Sequence, residues 1–366
     1  MLKPRDSNKK TNGETKRQVE TRSGNTSLIL HAVSGEIFQP PQSTTDGRVS
    51  TQTISVVIPV YNGANHIAEA IQSALDQTVL PDEIIVVDDG STDDTLSVLA
   101  QFGSTIRIIR QKNKGNAAAR NTGVLTARGT WIAVLDADDV WEPQKLETQL
   151  KHTSDADIIY TNVRNFGEAG YVSEITFGQN EMPSGEVLTE LLRDNFIAHS
   201  SVLMRRSIVE SVGGYDESLL ACCDWDLWLR LAMRGARVRA VEEPLTRYRW
   251  RPDSTSKKFR LSCRNRLRVL KKAFSTLPAT RENKKLHRKC NAATWRTSAW
   301  FVKSVDEWQA FRWYVRSLLC EPTRKRTWLE ILRIAAHKLG LSRSRFGIGP
   351  RRRTSAPKPE PVTTQT

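Results

Sequence analysis

Short apolar runs alternate with amphipathic segments over the first half of the chain, and this alternation predicts the secondary structure. The runs contain many β-branched residues and lie at 54–60, 83–88, 106–109, 131–136 and 157–160. Continuous apolar character over so few residues is typical of strands that are buried on both faces of a parallel sheet. Between the runs, apolar residues recur at helical spacing. The pattern therefore predicts an α/β fold with a mainly parallel central sheet.

The two ends of the chain and its last third show different patterns. Residues 1–50 are rich in Ser, Thr, Asn, Lys and Gly, and residues 342–366 carry three consecutive arginines and a Pro/Thr-rich segment. We expect both segments to be disordered tails. Residues 261–341 show helical apolar spacing around five tryptophans, for example over 295–319. The pattern thus predicts an α/β domain over 51–260 and then an amphipathic helical extension.

Charge separates the domain from the extension. The whole chain has a net charge of +15. Residues 51–260 hold 22 Lys and Arg against 29 Asp and Glu, whereas residues 261–366 hold 25 against 6. Basic amphipathic helices with Trp suit an anionic membrane surface, and we expect one as a partner of 261–341, although the same Trp stripe also suits packing onto the domain. Basic surfaces also bind nucleic acid, but the sequence contains no motif for recognising RNA or DNA, and we expect no nucleic acid to bind.

Composition also bears on where the protein acts. The sequence has no apolar run of the roughly 18–20 residues that a membrane-spanning helix needs. Its N-terminal segment is polar and basic, unlike a secretory signal. Its 5 cysteines show no C-x-x-C spacing, which disfavours a zinc site or a disulfide framework. We therefore expect a cytoplasmic protein, peripheral at the inner face of the membrane where its extension contacts lipid.

Two acidic clusters follow predicted strands. Asp88 and Asp89 end the second run, and Asp136 and Asp138 end the fourth. Because α/β folds bind ligands at the carboxyl ends of parallel strands, both clusters are candidate ligand groups. If the chain stays extended, Asp136 and Asp138 point the same way and offer hard oxygen ligands to Mg²⁺ or Mn²⁺. The alternative is that these carboxylates cap the next helix or turn.

A third acidic cluster, Asp224 and Asp226, opens a segment with helical apolar spacing. Carboxylates are favoured in the first turn of a helix by the helix dipole, so their presence has a purely structural explanation. The functional alternative is that one of them is a general base facing a bound sugar.

Five motifs occur in a fixed order and together resemble the family 2 glycosyltransferases. They are VVIPVYN (56–62), VVDDGSTDDT (86–95), NKGNAAARNTG (113–123), WIAVLDADD (131–139) and GGYDESL followed by CDWDLWLRLA (213–232). The resemblance covers about residues 51–260. It implies a single Rossmann-like domain with the nucleotide-diphospho-sugar transferase (GT-A) fold, followed by the basic helical extension.

The resemblance also implies where the nucleotide-sugar donor binds. The segment from Pro59 through Tyr61 to Asn62 would lie against the nucleoside. Asp89 would hydrogen-bond the uracil or ribose, with Asp88 as the weaker candidate. Arg120 corresponds to a family arginine near the nucleotide, and the alternative is a surface helix charge.

The remaining roles concern metal, base and acceptor. Asp138 would be the direct ligand of Mn²⁺ or Mg²⁺, and Asp136 would contact the ribose or metal-bound water. Asp224 corresponds to the catalytic base. Asp226 is structural or acceptor-binding, and His199 either contacts the acceptor or is a buried, hydrogen-bonded structural histidine.

The sequence departs from the family pattern at two positions. Cys223 precedes Asp224 where the family usually has Glu, which bears on the type of acceptor. Arg251 follows a Tyr-Arg pair where the family often has His. An arginine there meets phosphate charge or lies on the solvated surface.

By resemblance, the expected function is metal-dependent transfer of a sugar from a UDP-sugar to a hydroxyl acceptor, with inversion. The acceptor would be lipid-linked or a glycan, in polysaccharide, lipopolysaccharide or glycolipid synthesis of the cell envelope. One alternative is another nucleotide-sugar-processing enzyme on the same fold. The other is a catalytically silent scaffold or membrane-surface binding protein.

Overall fold

The computed structural model of the protein describes residues 52–167, 174–251 and 258–339. The tails predicted at 1–50 and 342–366 lie outside the described residues. Within the described part of the chain, no helix combines the length and apolar character needed to cross a membrane.

One eight-stranded sheet lies at the centre of the α/β part. Its strands, in chain order, are β1 (Ile54–Val60), β2 (Glu83–Asp88), β3 (Arg107–Arg110), β4 (Trp131–Val134), β5 (Val140–Trp141), β6 (Ile158–Gly167), β7 (Val202–Arg205) and β8 (Val238–Trp250). Their order across the sheet is β3-β2-β1-β4-β7-β6-β8-β5. The five predicted runs correspond to β1, β2, β3, β4 and β6.

The first four strands form the parallel half of the sheet, where β1 pairs with β2 and β4, and β2 pairs with β3. Every residue of β1 is buried. Val57 packs into one apolar cluster, and its neighbours Val56 and Ile58 pack into the cluster on the other face. The continuous apolar run of β1 therefore reflects burial on both faces of the sheet, whereas the edge strand β3 is largely exposed.

The other half of the sheet is mixed. Strand β7 lies antiparallel between β4 and β6. The 13-residue strand β8 runs parallel to β6 and antiparallel to the short β5. In that last pairing Val140 lies opposite Arg247, so the end of β8 passes the acidic segment that precedes β5.

Eleven α-helices occur among the described residues. They are α1 (Ile67–Leu75), α2 (Thr95–Ala100), α3 (Asn116–Thr126), α4 (Lys145–Leu150), α5 (Leu188–Arg193), α6 (Arg206–Ser211), α7 (Cys223–Met233), α8 (Phe259–Thr276), α9 (Arg281–Val302), α10 (Glu307–Cys320) and α11 (Lys325–Lys338). The first seven accompany the sheet, and the last four form a helical extension.

The extension has an apolar cluster of its own, which includes Cys263, Ala299, Trp313 and Ile334. The helical pattern predicted over 295–319 is interrupted, because α9 ends at Val302 and α10 begins at Glu307. The Asp306 carboxylate accepts a hydrogen bond from the Gln309 amide at 2.9 Å, which caps a new helix. The division between domain and extension near residue 260 remains a prediction.

Candidate active site

Strand β4 ends two residues earlier than predicted, and a turn follows it. The Asp139 amide donates to the Asp136 carbonyl at 3.0 Å, which closes this turn. The condition that the chain stays extended from Asp136 to Asp138 is therefore wrong. The two carboxylates bind different partners on two sides of the turn.

Asp136 is held by a buried arginine. Its carboxylate lies 2.7 Å from Arg120 Nη2 and 3.3 Å from His199 Nδ1. Its backbone amide donates to Ser200 Oγ at 3.0 Å. Burial would raise the pKa of Asp136, but the charge of Arg120 and the contact with His199 outweigh it and hold this pKa well below its usual range. Asp136 is therefore a permanent anion that pairs with the permanently charged Arg120.

Asp138 faces the end of β8. Its Oδ2 atom lies 3.0 Å from Arg251 Nε, and its backbone carbonyl accepts from Arg249 Nε at 2.7 Å. Burial and the nearby Asp136 charge raise the pKa of Asp138, while Arg251 opposes them. The side chain stays 25% exposed, so the carboxylate remains within reach of a ligand.

Asp139 stabilises the turn from the buried side. It is buried and accepts from Ser200 Oγ at 2.5 Å and from the Arg249 amide at 2.9 Å. Burial and the charges of Asp138 and Asp136 raise its pKa well above the ordinary value. The three acids thus differ in role, because Asp136 pairs with the buried Arg120, Asp139 is itself buried, and Asp138 pairs with the partly exposed Arg251.

Asp224 lies in the first turn of α7. The helix follows Cys222, which has a φ of 60°, and Asp224 accepts a hydrogen bond from Asn195 Nδ2 at 2.9 Å. The side chain of Asp224 is partly exposed. A carboxylate that is fixed by one amide and open to solvent has the properties required of a general base.

A buried polar network joins Asp136 to the start of α7. Arg120 Nη1 donates to Cys223 Sγ at 3.2 Å, and the guanidinium lies 5.8 Å from the ring centre of Tyr215. The Tyr215 hydroxyl lies 2.9 Å from His199 Nε2. Burial and the Arg120 charge lower the pKa of His199, although Asp136 opposes them. The structure therefore brings together Arg120, Asp136, His199 and the residue beside Asp224.

Asp226 points away from this network, into the contact between α7 and the extension. It is buried and pairs with Arg230 at 2.7 Å and with Lys272 of α8 at 2.9 Å. Both of its oxygens therefore have cationic partners within the protein.

The residues predicted to contact the nucleoside lie at the carboxyl ends of β1 and β2. Pro59 is buried within β1, whereas Tyr61 is half exposed. Asn62 has a φ of 51°, and its Oδ1 accepts from the Thr92 amide at 2.8 Å. The positive φ turns the chain so that this loop contacts the one that follows β2.

The two acids after β2 hold neighbouring loops. Asp88 accepts from the Ser91 amide at 3.0 Å and lies 3.3 Å from Arg110. Asp89 accepts from the amides of Lys114 at 2.9 Å and Gly115 at 2.7 Å, just before α3. The structure places Asp88 and Asp89 at the predicted edge of the sheet and gives them backbone partners there.

Three residues that sequence reasoning did not single out contribute to this geometry. Tyr215 binds His199, Arg249 binds the turn at Asp138, and Arg266 of α8 contacts the segment before Asn195. Their partners are distant in sequence, so spacing carries no signal for two of them. The alternation of Arg247, Arg249 and Arg251 at strand spacing is a signal for Arg249.

Comparison with known proteins identifies the class to which this geometry belongs. Residues 55–213 match the family described as Glycosyl transferase family 2. This match confirms the resemblance seen in the motifs of the chain.

Two curated relatives and one solved structure extend this comparison. An uncharacterized glycosyltransferase of Rickettsia felis is 34% identical over 214 residues, covering 56% of this chain and 35% of the relative. A chondroitin synthase of Escherichia coli is 32% identical over 231 residues, covering 61% of this chain and 33% of the relative. The chain thus spans about a third of the length of these relatives.

The crystal structure of S. aureus TarS 1–349 in complex with UDP aligns with a TM-score of 0.54 at 15% identity, over 79% of this chain and 92% of that one. At this identity the likeness concerns the fold alone, and it confirms the predicted GT-A fold.

Proposed function

We propose that the protein transfers a sugar from a nucleotide-diphospho-sugar, a UDP-sugar, to the hydroxyl group of an acceptor, with inversion at the anomeric carbon. The observation that carries this proposal is the network from Asp136 through Arg120 to Cys223, next to the open carboxylate of Asp224. The UDP complex of TarS supports the donor class, and a chondroitin synthase among the relatives supports a glycan product.

Asp224 is the proposed general base. Its carboxylate takes the proton of the acceptor hydroxyl while the acceptor oxygen forms a bond with the anomeric carbon. The bond from that carbon to the diphosphate breaks at the same time, and the nucleoside diphosphate leaves with the bonding electrons. Attack from the side opposite the leaving group inverts the anomeric configuration.

The acidic turn can supply one or two carboxylate ligands to a divalent cation but not a complete set of ligands. Among the residues that the structure describes, no three His, Cys, Asp or Glu side chains form a ready metal cluster. Asp138 does present a partly exposed carboxylate, with Asp136 beside it. Mg²⁺ and Mn²⁺ sites in such enzymes use one or two carboxylates and take their other ligands from substrate phosphates and water. Asp138 would hold the ion, which supplies positive charge to offset the departing diphosphate.

We assign the nucleoside to the loops after β1 and β2. Tyr61 and Asn62 are exposed there and offer a ring face and an amide. Asp88 and Asp89 fix the same loops through backbone amides. Pro59 lies in β1, just before the first of these loops. Arg120 supplies positive charge next to Asp136.

We place the acceptor, a glycan or a lipid-linked sugar, on the Asp224 side. His199 is buried with both ring nitrogens in contact, so the structural role suits it better than direct contact with the acceptor. Asp226 is buried and pairs with Arg230 and Lys272, so a structural role suits it better as well.

We also propose that the extension rests on an anionic membrane surface at the inner face of the membrane. Helix α11 exposes a stripe of large apolar residues, Trp328, Leu329 and Leu332, that continues to Leu339. Lys325, Arg326 and Lys338 lie on the same helix. An apolar stripe with flanking basic residues matches the requirements of interfacial helices.

The experiment that tests the proposed transfer is a screen of nucleotide sugars for release of the nucleoside diphosphate, with and without Mn²⁺. Release that depends on one donor and increases with a glycan acceptor is expected. Binding of the donor without release, across the whole screen, would favour the scaffold alternative instead.

A further inference from the structure

Strand β8 and the residue that follows it bring arginines to the acidic turn at alternate positions. Arg247 and Arg249 lie on one side of β8, Arg251 follows the last residue of the strand, and Arg247 pairs with Val140 of β5. The segment after Arg247 therefore runs back past Asp139 and then Asp138. The contacts of the arginines with these two acids follow from this antiparallel register.

The two arginines nearest the turn have different surroundings. Arg249 is committed to the structure, because its amide binds Asp139, its Nε binds the Asp138 carbonyl and its guanidinium pairs with Glu69. Arg251 instead contacts the Asp138 carboxylate itself, with 3.0 Å between Nε and Oδ2. The Arg251 side chain is 31% exposed, about twice the 16% of Arg249.

We propose that Arg251 is a built-in cation of the donor site. It neutralises Asp138 when no divalent ion is bound, competes with that ion for the carboxylate, and binds the donor's diphosphate. The diphosphate part of this assignment rests on the proposed function.

The charges around the turn explain why Arg251 can both compete with a divalent ion for Asp138 and bind the diphosphate. The side chains of Asp136 and Asp138 are 26% and 25% exposed, but the partner of Asp136, Arg120, is 7% exposed, whereas Arg251 is 31% exposed. Asp139 is buried and accepts from Ser200 and the Arg249 amide. The pair of Asp138 with Arg251 is therefore the one that a bound ion can separate most readily. A divalent ion and a guanidinium repel each other, so they cannot share one carboxylate without loss of affinity. A guanidinium that leaves Asp138 retains planar donors that match phosphate oxygens.

Two binding effects of opposite sign follow from removing Arg251. In the Arg251→Gln protein, Mn²⁺ alone should bind about two- to fivefold more tightly, because a partly exposed ion pair no longer opposes it. UDP in the presence of EDTA should bind about tenfold more weakly or worse, because a charge-assisted contact to phosphate is lost. Loss of folding cannot produce this combination, since it would weaken both.

The measurement is titration calorimetry of the full chain with Mn²⁺ alone and with UDP in EDTA. Arg247→Gln is the matched control, because it removes the same charge four residues earlier, within β8, and should leave both affinities unchanged. Arg251→Lys should keep Mn²⁺ affinity near that of the unaltered protein yet still weaken UDP, because a lysine keeps the charge without the planar fork.

An unchanged or weaker Mn²⁺ affinity in Arg251→Gln would overturn the competition, and so would an absence of Mn²⁺ binding in every variant. Equal UDP affinity in EDTA would overturn the diphosphate contact. None of these readouts uses turnover. A protein that shows both predicted shifts but transfers no sugar would therefore contradict the proposed function and not the assignment of Arg251.

Discussion

Each carboxylate that the motifs indicate for catalysis or metal binding has a specific partner from another part of the chain. Asp136 binds Arg120, Asp138 binds Arg251, and Asp224 binds Asn195. The motifs predicted the acids and Arg120, because they are local patterns. They did not predict that Arg120 pairs with Asp136 or that Arg251 pairs with Asp138, because each pair joins two separate elements of the fold.

His199 offers a test of this network through pH. Burial and Arg120 lower its pKa in the folded protein, with Asp136, Asp224 and Tyr215 as its other charged or titratable neighbours. As the pH falls below about 6.5, the unfolded chain gains a proton at His199 that the folded chain resists, so stability is lost as the pH falls. Above that pH, His199 is neutral in both the folded and the unfolded chain, and this loss of stability does not occur.

Replacement of His199 by Asn should therefore make the free energy of unfolding less dependent on pH between 7.5 and 5.5. The difference in slope between the two proteins is limited to about 1.4 kcal/mol per pH unit, the value for one proton. Urea denaturation at several pH values measures it. Equal slopes in both proteins would mean that His199 titrates alike in the folded and unfolded chains, contrary to the account.

Secondary-structure elements differed in how well the sequence foretold them. Strands β1 and β2 were predicted with their correct ends, because both faces are buried and the apolar run is continuous. Strand β8 has a largely intermediate or exposed pattern with many charges, so it carries no such signal. Its position follows from pairing with β6 and β5, which are distant in sequence.

Helix α8 shows how an element outside the matched family segment reaches the proposed base. Arg266 lies over the Trp225 ring at 4.7 Å and pairs with Asp194 at 2.5 Å. The same Asp194 oxygen accepts from the Asn195 amide at 3.0 Å, and the Asn195 side chain binds Asp224. Arg266 is thus a positioning residue for Asp224.

The Arg266→Met protein should lose about tenfold in kcat with little change in KM for the donor, because the base is displaced while the nucleotide loops are untouched. Arg266→Lys should recover part of the loss. The control is Arg264→Met, an exposed arginine on the same helix. Equal losses in kcat and donor affinity would indicate general destabilisation and contradict a positioning role.

In the whole molecule, the helices of the basic extension make two kinds of contact. Helix α8 contacts the domain through Arg266 and Lys272, whereas α11 exposes its apolar stripe. Packing and membrane contact, which the sequence left as alternatives, are therefore compatible, because they use different helices. The sequence could not separate them, since both need Trp and basic residues at helical spacing.

The membrane proposal predicts that the Leu329→Gln, Leu332→Gln double variant binds vesicles containing phosphatidylglycerol about tenfold more weakly, because buried methylenes supply much of interfacial affinity. Co-sedimentation with these vesicles and with neutral phosphatidylcholine vesicles measures this. The control changes the exposed Leu80 and Leu125 of the α/β domain to Gln. Equal binding of both double variants would contradict docking through α11.

In the proposed transfer, Asp224 removes the proton of the acceptor hydroxyl. The Asp224→Asn protein tests this role, because its side chain can still accept the hydrogen bond from Asn195. The exposed Glu217→Gln, in the segment before α7, is the matched control. With the donor identified by the screen, kcat of Asp224→Asn should fall by about 10²- to 10⁴-fold while nucleotide affinity is retained, and the control should keep its turnover. Turnover near that of the unaltered protein in Asp224→Asn would contradict the account.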